Sequence, residues 1–296
     1  MKLYAPKYYE DFKCIADKCT HSCCVGWEID IDSNTLEKYN GLEHKYAEKI
    51  KSSIDFIDTP HFILKENDRC PHLNECGLCE IINNVGEEFL CDICREHPRF
   101  YNFTNYGKEV GLGMSCEEAC RIILCSDCYD EMIEIDEIEG EVIFCDFDPI
   151  PLRRAIYSLL CSTANSYEEK LAKLYKITDT SPHILTDDEW KAVFSELEYL
   201  DDSHKELFLK YASNTKPSKE LEPYLERALA YFIYRHCSEA CNEDEFYSCL
   251  GFSMLCERLL CSICKDASDV FACARIISEE LEYSQDNTDR IIEEFL

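Results

Sequence analysis

From residue 152 to the end of the chain, apolar positions recur at helical spacing over residues 152–161, 167–175, 187–200, 220–236, 244–264, 268–283 and 287–295. Asp187 precedes the stripe Trp190, Phe194, Leu197 as a helix N-cap would. This half reads as an all-helical domain. Upstream, the signals are shorter and mixed. Residues 27–32 alternate apolar and acidic side chains like a half-buried strand, and Ser33 then stands as the cap of a helix whose apolar face is Leu36, Tyr39, Leu42, Tyr46 and Ile50. Residues 61–65, 108–114 and 142–147 read as further short strands, the last ending in Asp-Pro-Ile-Pro. The pattern predicts an α+β, loop-rich N-terminal domain over residues 1–148 and an all-α domain over 149–296.

Length changes this picture little, since 296 residues with 46% hydrophobic content suit two ordinary domains. Charge changes it more. Sixty acidic against 30 basic residues give a net charge of -30, a field that repels phosphate backbones and anionic lipid headgroups. Nucleic acid and membrane surfaces are therefore excluded as expected partners, and lysine-bearing proteins are easier to accept. The first residues carry no apolar targeting segment, which sets the expectation of a cytoplasmic protein.

The chain also holds 22 cysteines. In a reducing compartment such thiols are buried, reactive or metal-bound rather than paired in disulfides. Thirteen lie between Cys14 and Cys128, and none between Cys161 and Cys237. The later set, with Cys237 and Cys241, Cys249 and Cys256, and Cys261 and Cys264 at helical spacings, reads as small core residues. The earlier set is denser: Cys14, Cys19, Cys23 and Cys24, then Cys70, Cys76 and Cys79, then Cys91 and Cys94, then Cys116 and Cys120. Thiolates converging from several loops are what soft metals and iron–sulfur clusters require. Cys76-x2-Cys79-x11-Cys91-x2-Cys94 approximates a zinc ribbon, while the ferredoxin run and the three-cysteine spacing of radical S-adenosylmethionine enzymes are absent. Spacing leaves zinc and iron–sulfur both open. No GxGxxG turn, P-loop or Ser-His-Asp set is present, and the residues alone name no catalytic group.

Three blocks carry a resemblance. They are YAPKYYEDFKC-x4-C-x3-CC-x-GW-x-I-x-ID, then CP-x-L-x3-GLC-x-I-x4-GEE-x-LC-x2-CR-x2-PR, and SCEEA-x-R, running in order over residues 4–124. Together they resemble the bacterial flagellin lysine-N-methylase (FliB-like) family, and residues 275–287 resemble its C-terminal signature. The resemblance implies a [4Fe-4S] protein that uses S-adenosylmethionine to methylate surface lysines of flagellin. It carries over Cys14, Cys19, Cys23, Cys24, Cys70, Cys79, Cys91, Cys94 and Cys116 as metal-ligand candidates, more than the four thiolates one cluster accepts. Cys76 and Cys120 fall where the family is expected to have other residues, and His72 and His97 replace expected aromatics.

Toward the cofactor, Arg95 and Arg99 are candidates for its carboxylate and Trp27 for its adenine ring. Local pairing of the arginines with neighbouring glutamates, and core packing of Trp27, are the plainer alternatives. Glu118 could accept a lysine proton or simply favour a helix start, and His21 could stand in for a thiolate. Two rival readings remain: a zinc-stabilised, non-catalytic interaction module, and an iron–sulfur electron-transfer or metal-handling protein.

Overall fold

A computed structural model describes residues 1–142 and 144–296. Strand β1 (Lys2–Pro6) opens the chain. Residues Lys13–Pro98 then form one compact unit, while Met1–Phe12 and Arg99–Leu296 form the other.

The smaller unit holds α1 (Ser33–Gly41), α2 (Ala47–Ser52), the two-residue strands β2 (Ile54–Asp55) and β3 (His61–Phe62), α3 (Glu80–Val85) and α4 (Asp92–Glu96). The single helix expected after Ser33 is two helices, because the chain leaves the helix at Leu42 and re-enters after His44, whose Nδ1 accepts the Tyr46 amide at 3.1 Å. Asp32, not Ser33, is the cap, its carboxylate accepting from the Thr35 amide at 2.9 Å. The expected strand at 27–32 is reduced to an isolated bridge, Asp30 to His61, and the strand at 61–65 to β3. The core is correspondingly small, built on Ile29, Ile31, Tyr39, Ile50, Phe62 and Leu73.

The larger unit continues with β4 (Arg99–Thr104), β5 (Gly107–Leu112), α5 (Glu117–Cys125) and β6 (Met132–Glu137). Its sheet has the order β4-β5-β1-β6, with β1 parallel to β5 and antiparallel to β6. The β4–β5 hairpin turns at Gly107, whose φ of +144° and approach to the Lys2 carbonyl admit no side chain. The strand expected at 142–147 includes Ile143, which lies outside the described residues, and its described residues form no strand.

Eight helices follow: α6 (Ile150–Leu160), α7 (Tyr167–Thr178), α8 (Asp187–Glu196), α9 (Asp202–Phe208), α10 (Glu222–Cys237), α11 (Glu243–Ile263), α12 (Val270–Ile277) and α13 (Gln285–Ile292). From Ile150 on, every regular element among the described residues is helical. These helices share one unit with the sheet, so the division falls at Phe12/Lys13 and Pro98/Arg99, where the periodicity had placed it near residue 148. Thr186, one residue before Asp187, caps α8 in a capping box with Glu189. α10 packs along α11 to make the core, with Phe232, Leu255 and Leu259 fully buried. α11 is long and apolar enough to cross a membrane, but 83% of its most apolar stretch is buried within the unit.

Two buried polar assemblies lock this unit. Arg153 of α6 donates from both Nη atoms to Glu109 of β5 at 2.7 Å, with only 3% and 5% of the two residues exposed. The helix expected over 268–283 ends at Ile277 and passes into one π-helical turn, Ser278–Glu282. That turn brings Glu279, Glu280 and Glu282 all inward, and each is met: Glu279 by Arg275, Glu280 by the Leu200 amide and His204, and Glu282 by Tyr231, Arg235 and His236.

Candidate metal centre

All 22 cysteines are thiols. In the smaller unit, backbone pairing draws part of the first set together. The Cys70 amide donates to the Cys24 carbonyl at 2.9 Å beside a Val25–Arg69 bridge, so the Cys23–Cys24 turn lies along the Cys70 strand segment. The Cys70–Cys79 segment doubles back on itself through a Leu73–Cys79 bridge. Asn74 holds that loop, its Oδ1 accepting from Cys76 and Leu78 amides at 2.9 and 3.0 Å, and Gly77 supplies a φ of +76° that other residues resist. Cys91 caps α4, and the Cys94 amide donates to its carbonyl at 3.0 Å. Asp32 joins α1 to this point, accepting the Asp92 amide at 2.9 Å.

The result is a gathering of five thiols. Cys70 lies within electrostatic range of Cys24 and Cys79, Cys79 of Cys24 and Cys91, and Cys94 of Cys91, Cys24 and Cys70. Cys70 and Cys91 are buried, the other three half-buried against the same small core. Ionisation of one disfavours ionisation of its neighbours. The Cys23 hydrogen bond brings Cys24 down to about 7, and the Cys94 hydrogen bond lowers Cys91. Burial pushes Cys70 up to about 11 and raises Cys79, while Cys94, donor to Cys91, is raised strongly. A soft cation among them would relieve this conflict by taking the place of the protons.

Tyr39 frames the group: its hydroxyl donates to the Phe89 carbonyl at 2.8 Å and lies 3.5 Å from Cys91 Sγ. His72, fully buried, is held by Tyr46 at 2.9 Å on Nδ1 and Ser53 at 3.0 Å on Nε2. The sequence marks Tyr39 and Tyr46 only as apolar helix positions, and nothing in the spacing signals their hydrogen bonds.

Among the described residues no group of three or more His, Cys, Asp or Glu side chains stands in metal-ligating geometry. The five thiols nevertheless have the soft-donor chemistry a thiolate-bound group requires, and all five are buried or half-buried in one unit. Cys14, Cys23 and Cys76 are exposed, and Cys19 donates to the His21 carbonyl at 2.9 Å. Cys116 caps α5 in the larger unit, together with buried Cys120.

Of the cofactor candidates, Arg95 is 43% exposed and pairs with Asp92 and Glu96, and Trp27 is half-buried. Arg99 belongs to the larger unit, where Nε donates to the Tyr9 hydroxyl at 2.8 Å and the guanidinium lies over Tyr9 and Phe12. Glu118 accepts both prongs of Arg121 at 2.6 and 2.7 Å, the local pairing of a first-turn acid.

Known proteins resemble the chain. A lysine-N-methylase of Salmonella choleraesuis strain SC-B67 is 28% identical over 192 residues, 58% of this chain and 45% of that protein. The lysine-N-methylase of Salmonella typhimurium strain LT2 matches to the same extent, 28% over 192 residues and 45% of its length. The flagellar biosynthetic protein FliU of Salmonella muenchen is 30% identical over 134 residues, 40% of this chain and 75% of its own length. The matches thus span less than half of the two methylases. No family profile and no solved structure matches the chain.

Proposed function

The chain belongs to the bacterial lysine-N-methylase (FliB-like) family, and on that premise we propose that it is an S-adenosylmethionine-dependent protein lysine N-methyltransferase with a [4Fe-4S] cluster on its N-terminal cysteines. The observation that carries the metal half of this reading is the convergence of Cys24, Cys70, Cys79, Cys91 and Cys94 in one unit. Three or four of these five would hold the cluster, the rest remaining neighbours in the same small core. When bound, the cluster would supply electron transfer, and with three thiolates it would also leave one iron open for the cofactor's amino and carboxylate groups.

The chain's own residues set the rest. Asp32, by accepting the Asp92 and Thr35 amides, fixes the approach of α1 to the Cys91–Cys94 turn. Tyr39 and the neighbouring apolar core keep water from Cys91. A lysine ammonium must lose its proton and meet the methyl sulfonium in line, which calls for a desolvated site and a nearby carboxylate. The charge of -30 favours approach of a lysine-rich protein such as flagellin. A second reading, zinc on the same thiols, draws on the Cys79 and Cys91–Cys94 elements of the ribbon-like spacing, with Cys76 exposed.

One experiment separates them. Protein purified without oxygen is assayed for iron, acid-labile sulfide and zinc, then incubated with S-adenosylmethionine, dithionite and flagellin, and the flagellin is weighed by mass spectrometry. About four iron and four sulfide per chain and methyl-group mass increments on lysine peptides are expected. Loss of the iron in C24S and C94S, with retention in C125S, is expected as well. Stoichiometric zinc without sulfide, and unmodified flagellin, would overturn the proposal.

A further inference from the structure

Away from the candidate metal centre, in the larger unit, two thiols from distant parts of the chain meet at the surface. Cys145 lies between β6 and α6, and Cys241 in the turn joining α10 to α11. Both line one cavity of about 230 Å³, together with Phe103, Phe147 and Glu239. Cys241 is exposed and Cys145 half-exposed, so a small reagent reaches both sulfurs.

Each cysteine is held on its own backbone. Asn105 clamps Cys145 from both sides, its Nδ2 donating to the Cys145 carbonyl at 3.0 Å and its Oδ1 accepting the Cys145 amide at 2.8 Å. The Cys241 amide donates to Glu245 at 2.8 Å, and the next residue, Asn242, caps α11. Glu239, two residues before Cys241, accepts the Phe103 amide and so ties the turn to β4. The two thiols lie close enough to interact electrostatically, while Cys241 Sγ donates to the Glu239 carbonyl at 3.5 Å. Pre-positioned, accessible sulfurs on separately anchored backbones lose little freedom on bonding.

We propose that Cys145 and Cys241 form a reversible dithiol modification site, closed to an intramolecular disulfide by low-molecular-weight disulfides of the glutathione class. One of the two thiols attacks one sulfur of oxidised glutathione; that S–S bond breaks, a protein–glutathione bond forms, and a glutathione thiolate leaves. The other thiol then attacks the protein sulfur of this mixed disulfide and expels the second glutathione. Two protein thiols are oxidised, one oxidised glutathione is reduced to two thiols, and the two protons pass to the released thiolates. A second pair of neighbouring thiols, Cys264 and Cys273, is less open because Cys273 is buried.

The test uses the whole chain purified anaerobically with its metal, titrated with oxidised glutathione, quenched in acid, alkylated and mapped by peptide mass spectrometry. Cys145 and Cys241 are expected to lose alkylation together and to appear as one cross-linked peptide pair before the Cys264–Cys273 pair does, and dithiothreitol should restore both. In C241S, which removes no core side chain, Cys145 should retain a stable glutathione adduct. Iron and sulfide measured alongside show that the metal centre stayed intact. Continued alkylation of both residues while Cys14 or Cys125 becomes glutathionylated would overturn the site, as would earlier closure of Cys264–Cys273. Absence of the Cys145 adduct in C241S would overturn the mixed-disulfide step.

Discussion

The ion pair between Arg153 and Glu109 gives a sharp energetic test. E109Q keeps shape and one acceptor but leaves the Arg153 guanidinium charged, buried and without its counter-charge, since its other partners are the Ser238 hydroxyl and the Tyr234 ring at 5.1 Å. Breaking one side of a buried pair costs about 3–5 kcal/mol. In a unit of this size each kcal/mol moves the melting temperature by roughly 2–4 °C, so a drop of about 6–20 °C is expected. R153M should cost a comparable amount by stranding Glu109. E109L/R153M replaces both charges with apolar groups of similar bulk, and such swaps are often near neutral, so the double variant should be more stable than either single one. Urea denaturation followed by tryptophan fluorescence, with Trp190 reporting the larger unit, measures all three. A loss under about 1 kcal/mol in E109Q, or a double variant as unstable as the sum of the singles, would refute the claim that this pair locks α6 to the sheet.

Three further outcomes are expected. D32A removes the acceptor of both the Thr35 and Asp92 amides and should cost about 1–2 kcal/mol, read as faster hydrogen exchange in residues 33–41 and 92–96. G111A would drive a methyl into the Phe100 and Tyr234 rings, so a loss of about 1–3 kcal/mol is expected in urea titrations; an unchanged midpoint would contradict the packing there. Burial holds His236 below its usual value, and although burial raises Glu282, Arg235 and His236 leave that carboxyl lowered, with Tyr231 and the Phe252 ring completing the surroundings. Histidine with a lowered folded value stabilises fully above about 6.5 and progressively less as pH falls below it, by up to about 1.4 kcal/mol per pH unit. H236Q should therefore show a smaller loss of stability between pH 7 and 5 than the parent; parallel curves would sink this assignment.

Long helices were legible because their apolar stripes persist: α7, α10, α11 and α13 lie within a few residues of where periodicity puts them. The π-helical turn was not, since one inserted residue rotates three glutamates inward, and the partners of Glu280 and Glu282 lie far away in sequence. Likewise the apolar face running from Leu36 to Ile50 reads as one helix only until the chain leaves the helix at Leu42. The density of sulfur pointed to a metal, but which thiols meet depended on backbone pairings such as Cys24 with Cys70, which spacing does not encode. Arg95 and Glu118 took the local partners their helical neighbours offered.

The placement of β1 inside the sheet constrains the order of events as the chain is made. β1 is residues Lys2–Pro6, yet its neighbours β5 and β6 begin at Gly107 and Met132. At ~5–20 residues per second of translation, β1 waits on the order of 5–20 s for its first partner. During that interval Lys13–Pro98 emerges whole, so the cysteine-rich unit can fold before the sheet around β1 is complete. Both pairings of β1 are non-local, whereas the β4–β5 hairpin can form as soon as it is made, so completion of the sheet waits on the β1 contacts.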